Sequence, residues 1–110
     1  MKLTRKDKYL LITSESEELT AFISNITKAH NEFKEENVIF DISQFENLSE
    51  EDFLGFLEIS SIHREGNKSF VIINNSLSID ELPEELVVVP SLQEAEDIIQ
   101  MDDIQRDLGF

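Results

Sequence analysis

Histidine is the side chain best placed to move protons or hold a metal near neutral pH, and this chain of 110 residues has two, His30 and His63. Neither sits in a His-x-x-x-His or Glu-x-x-His pattern, whereas a zinc site needs three or four converging ligands. Both are read as ordinary surface or boundary residues near helix ends, where the dipole favours their charged form. Cysteine is absent, which removes disulfides, thiol catalysis and Cys-ligated zinc or iron–sulfur centres. Gly55, Gly66 and Gly109 are the only glycines, too few and too scattered for a phosphate-cradling loop or a nucleophile elbow. Serines are plentiful, but no Ser–His–Asp grouping is suggested by local context. The reading is therefore non-catalytic, with no catalytic residue, no cofactor and no metal ligand; a small enzyme is the remote alternative.

Carboxylates dominate instead: 24 Asp and Glu stand against nine Lys and Arg, a net charge of −15. Such a field repels phosphate backbones and anionic lipid, so neither nucleic acid nor membrane is expected as a partner; basic protein surfaces are favoured. The charge is uneven. Residues 1–8 carry Lys2, Arg5, Lys6 and Lys8 against Asp7, whereas residues 80–110 hold ten acids against Arg106 alone. A basic start and an acidic end lying side by side would partly neutralise each other. Asp41, at the end of an apolar run, reads as a residue that bonds nearby turn amides. A phospho-accepting receiver domain is ruled out, because it needs an acidic pair after its first strand and a lysine after a late one. Here the strands lead into Thr13-Ser14-Glu15, Asn74-Asn75-Ser76 and Pro90-Ser91. Ser49-Glu50-Glu51-Asp52 has the form of a helix start: a hydroxyl cap, a carboxylate three residues on, and acids through the first turn.

The elements that position these residues follow from apolar spacing. Tyr9 to Thr13 reads as a buried strand, preceded by an edge strand over Lys2 to Arg5; Val38 to Asp41, Ser69 to Ile73 and Leu86 to Val89 read as further strands. Leu19, Phe22, Ile23, Ile26, Ala29 and Phe33 form one helical stripe, predicting a helix over 17–33. Phe53, Phe56, Leu57 and Ser60 predict a second over 49–64, ended by Gly66 in the left-handed conformation. One helical turn is expected around Ile79 to Leu82. Ser91 caps a last helix with Leu92, Ala95, Ile98 and Ile99 on its apolar side. Met101, Ile104 and Leu108 either prolong it, or residues 101–110 form a frayed tail. Near-continuous apolar strands alternating with amphipathic helices predict a small α/β fold: a mainly parallel, mixed sheet of four to five strands covered by helices, in a single domain over 1–110. No apolar run approaches the roughly 20 residues of a membrane span and the start has no signal-peptide stretch, so a cytoplasmic protein is expected.

Val38-Ile39-Phe40-Asp41 through Ser49-Glu50-Glu51-Asp52-Phe53-Leu54-Gly55-Phe56-Leu57 resembles the centre of a STAS domain, the family of anti-sigma-factor antagonists and of the cytoplasmic tails of sulfate transporters. Gly66, the strand Phe70 to Ile73, and Val89-Pro90-Ser91-Leu92-Gln93-Glu94-Ala95 match it in order and spacing. The family pattern is a strand ending in Asp, a short loop, then Asp-Ser-x-Gly opening a helix, with that serine phosphorylated by a partner kinase. Counted from Asp41, Ser49 falls on the family's aspartate, Glu50 on its serine and Asp52 on its glycine. Glu50 cannot be phosphorylated, and its single charge only crudely imitates a phosphate. With one loop residue deleted, Ser49 falls on the serine instead and is the candidate phospho-acceptor. The resemblance implies a regulatory protein-binding module of the anti-sigma-factor-antagonist type. Its contact residues would be Glu46, Ser49, Glu50, Glu51, Asp52 and Leu54, with Ile62 as a second apolar anchor. The partner would be an anti-sigma-factor-type kinase or another regulator, and the chain a monomer or weak homodimer. The alternative is an acidic scaffold that associates with itself through its C-terminal helix and tail.

Overall fold

The computed structural model describes residues 1–15, 17–77 and 81–109. Five strands form one sheet in sequence order: β1 (Lys2–Arg5), β2 (Leu10–Thr13), β3 (Val38–Asp41), β4 (Phe70–Ile73) and β5 (Val87–Val89). β1 runs antiparallel to β2, and every later pair is parallel. The helices are α1 (Leu19–Lys28), α2 (His30–Phe33), α3 (Glu50–Leu54), α4 (Leu57–Glu65) and α5 (Leu92–Asp107). This is the expected small α/β fold with a mixed, mostly parallel sheet.

Strand side chains alternate between two faces, and the two faces are covered differently. On the first, Leu10, Ile12, Val38, Phe40, Phe70, Ile72 and Val88 meet Phe22, Ile26, Phe33, Phe53, Phe56 and Ile59 from α1 to α4. Phe40 is the hub of this face, with the rings of Phe70, Phe33, Phe22 and Phe56 at centroid distances of 4.6, 6.0, 6.3 and 6.4 Å. On the second face, Tyr9, Ile39, Val71 and Ile73 meet Ala95 and Ile99 of α5, the one helix on that side among the described residues.

The two long helices expected over 17–33 and 49–64 are each broken. The first breaks at Ala29 (φ −92°, ψ 3°), whose N–H reaches both Asn25 O and Ile26 O. The kink lets α2 bury Phe33 completely, a burial worth about 2–3 kcal/mol. The second breaks between α3 and α4, at Gly55 and Phe56, both in helical φ/ψ. There a Cβ on Gly55 would lie 3.0 Å from the Ile23 side chain, so the glycine lets α3 approach α1.

Other boundaries shift for local reasons. Gly66 ends α4 but keeps φ −81°, and Asn67 takes the left-handed conformation at φ 65°; asparagine tolerates this better than most residues because its side chain bonds locally. Leu86 closes a turn onto Pro83 O rather than opening β5. Of the turn expected at 79–82, residues 79 and 80 lie outside the described residues, while Leu82 is buried in the first-face core. α5 runs on to Asp107, so Met101 and Ile104 are helical, and Leu108 is its C-cap. No helix among the described residues is long and apolar enough to cross a membrane.

Candidate functional site

In parallel α/β sheets, ligands and partners gather at the carboxyl ends of the strands, where the loops converge. Here that edge carries the loop after β3, residues 42–49, which leads into α3. The loop is pinned at several points. Asp41 Oδ1 accepts from Ser43 N (3.0 Å) and Ser43 Oγ (2.6 Å), the turn-bonding role expected of it. Phe45 N donates to Ile42 O at 3.0 Å. Asn74, only 2 % exposed, donates from Nδ2 to Ile42 O (2.8 Å) and Phe45 O (2.9 Å), stapling the loop to the end of β4. Its own Oδ1 accepts from Ser76 N (2.9 Å). Phe45 and Leu48 pack partly against the first-face core, and Asn47 takes φ 57° at the bend.

α3 opens with the expected capping box. Ser49 Oγ accepts from Asp52 N (3.3 Å) and donates to Asp52 Oδ2 (3.1 Å), while Ser49 N donates to Asp52 Oδ2 (2.9 Å). Cap and carboxylate together satisfy amides the helix cannot bond itself. Ser49 and Asp52 thus have a structural task, and modifying the Ser49 hydroxyl would open the box. Glu46, Glu50 and Glu51 are exposed and make no ion pair among the described residues. Leu54 is 37 % exposed and Ile62, further along on α4, is 48 % exposed. The residues singled out from the sequence between 46 and 54 therefore form one rim. Asn74, which holds the rim in place, was visible in the sequence only as part of a polar loop; the signal was an amide directly after a buried strand. Beside it, Asn74, Leu77, Val88, Pro90 and Glu94 line a cleft of about 550 Å³.

His30 is half-buried, at the boundary as expected, whereas His63 departs from that reading. His63 is 1 % exposed, and its ring lies among Phe33, Phe70 and His30. His30 Nε2 lies 3.0 Å from His63 Nδ1, and His63 Nε2 lies 2.7 Å from Glu36 O. A carbonyl only accepts, so His63 carries its proton on Nε2 and accepts from His30 through Nδ1. Burial, together with the positive charge of nearby His30 and Lys68, lowers the His63 pKa to about 4, against the opposing bond to Glu36 O. Burial and Lys34 lower that of His30. The pair is a neutral polar link between α2 and α4, buried at its His63 end. No group of three or more His, Asp or Glu among the described residues is arranged to hold a metal ion.

At the opposite edge a polar network ties α5 to the sheet. Arg106 donates to Asn37 Oδ1 (3.2 Å), Asp103 Oδ1 (3.0 Å) and Ser69 Oγ (2.5 Å), and Ser69 Oγ donates to Asp102 Oδ2 (2.6 Å). Ser69 therefore faces a carboxylate and a guanidinium, with no histidine to activate it. Comparison of the chain with protein-family models gives no match, and comparison with curated proteins gives none either.

Proposed function

We propose that the protein is a non-catalytic, STAS-like regulatory module of the cytoplasm that docks the rim of residues 46–54 onto a basic surface of a partner protein. The observation that carries this reading is the rigid presentation of three free carboxylates. Glu46, Glu50 and Glu51 project from a loop and helix start fixed by the Asn74 staple and the Ser49–Asp52 box. Pre-set charges of one sign speed encounter with an opposite surface and reject wrong partners, and a fixed loop loses little entropy on docking. Leu54 would supply an apolar contact at the edge of the patch. The resemblance points to an anti-sigma-factor-type kinase or another regulator as the partner, with Ser49 as the candidate phospho-acceptor.

The test is affinity capture of the full chain from its native lysate beside a Glu46→Lys/Glu50→Lys/Glu51→Lys variant. Asp52 is left alone to preserve the cap. Recovery of a kinase, phosphatase or sigma-factor regulator that the variant loses, with circular dichroism unchanged, supports the reading. A partner that binds both proteins equally overturns it. One further observation favours self-association as a second reading. Met101, Ile104 and Leu108, at helical spacing on the outer side of α5, are 57, 51 and 65 % exposed. Replacing all three by Gln would then convert a dimer to a monomer in sedimentation.

A further inference from the structure

The second face of the sheet is only partly roofed. α5 packs on β4 and β5, and between it and the β1–β2 turn lies a cleft of about 500 Å³. That volume is in the range of small-molecule sites. The floor is apolar: the buried rings and chains of Tyr9 and Ile99, with Leu92 alongside. Leu92 lies in the apolar sequence pattern of α5, yet it is 39 % exposed and borders the cleft instead of being covered by the core. At the mouth stand Lys6 and Lys8 from the turn. The chain has 24 carboxylates, yet among the described residues neither lysine has an ion-pair partner. The basic start does lie beside the acidic final helix, but its charges are not spent there.

The acidic groups at the cleft are Asp7 and Glu96. Glu96 Oε2 accepts from the Tyr9 hydroxyl at 2.6 Å. Burial, reinforced by Glu96, raises the Tyr9 pKa to about 12, so the hydroxyl keeps its proton and the bond persists at neutral pH. On the other side of the turn, Lys68 and Arg5 join Lys6 and Lys8 around a smaller cavity of about 270 Å³, where Glu35 and the Arg5 partner Glu36 also stand. In a strongly acidic chain this turn is where unpaired cations and an apolar floor meet.

The geometry points to a binding site for a small amphipathic anion. Its apolar body lies on Tyr9, Leu92 and Ile99, and its phosphate or carboxylate head reaches Lys6 and Lys8. Gln100 at the wall offers an amide to the head or linker. The site lies on the second face of the sheet, shares no residue with the acidic rim and does not depend on that reading.

The experiment is an NMR titration of the full chain with octyl phosphate, octanoate, octanol and inorganic phosphate. Octyl phosphate or octanoate should shift the amides of residues 6–9 and 92–100 saturably; whichever binds more tightly identifies a phosphate or a carboxylate head as the preferred one. Octanol and inorganic phosphate should each bind at least about tenfold more weakly, because a charge-assisted contact or a buried chain is worth about that factor. A Lys6→Glu/Lys8→Glu variant changes only exposed positions. It should lose about tenfold for the anionic probes, with octanol unaffected. Leu92→Asn should weaken octyl phosphate and octanol alike. No saturable shift at the cleft overturns the proposal. So does octanol binding as tightly as octyl phosphate with the lysine reversal silent.

Discussion

The two faces of the sheet solve the same burial problem by different means. The first is roofed by four helices and filled with rings: Phe22, Phe33, Phe40, Phe53, Phe56 and Phe70 are all 0–1 % exposed. The second has α5 alone among the described residues, a thinner apolar layer around Ile39, Val71, Ala95 and Ile99, and the Arg106–Ser69–Asn37 network at its end. Aromatic packing fixes one side, and polar contacts align a helix on the other. The difference assigns tasks: the first face sets stability and holds the loop after β3, while the second retains a cleft and a helix with an open outer side.

The largest break in that contrast should come from Phe40→Ala. Removing the hub ring is expected to cost about 4 kcal/mol, against about 3 for Ile99→Ala under α5. Urea unfolding of both variants measures it, and equal losses would mean that the faces carry the fold equally.

The next largest effect is pH dependence. Unfolded histidine titrates near 6.5, whereas His63 in the fold is held to about 4 by burial. Between those values the unfolded state binds more protons at residue 63, so this contribution to stability is lost as pH drops from 6.5 towards 4 and is constant below. The loss should approach about 3 kcal/mol. His30, lowered in the same direction, adds to it. A His63→Leu variant should flatten the urea midpoint against pH across that window; an unchanged slope would remove the His pair as its source.

The smallest effect is expected from the polar latch. Arg106→Met keeps the stem and removes the guanidinium, and should cost about 1–2 kcal/mol. Hydrogen exchange should quicken first in α5, with β3 amides unaffected. Uniform quickening would show that α5 does not open as a separate unit.

Much of the frame was legible from local pattern. Val38 to Asp41 reads as a strand because consecutive apolar residues suit a strand buried on both faces. Ser49 and Asp52 announce a capping box because its partners are three residues apart. What escaped is tertiary. His30 and His63 are 33 residues apart, and only the parallel crossovers that set α2 beside α4 make them neighbours. Apolar periodicity runs unbroken through Ala29 and Gly55, so neither kink was visible; the burial of Phe33 and the approach of Ile23 set them. Of the candidate site, the acidic rim was legible as charge around a cap, whereas Asn74 shows locally only as an amide after a buried strand, and the two loop carbonyls it binds lie about 30 residues away. The cleft beside Tyr9 depends on where α5 lies, which no spacing encodes.

The short outer strands have a consequence for crowding. At one border of the sheet, β1 is four residues long and bears Lys2 and Arg5; at the other, β5 has three residues and stops at Pro90. A brief charged border and one cut off by a proline that has no N–H both make poor templates for an incoming strand. Growth of the sheet from molecule to molecule, the route to cross-β aggregates, is therefore disfavoured at both borders.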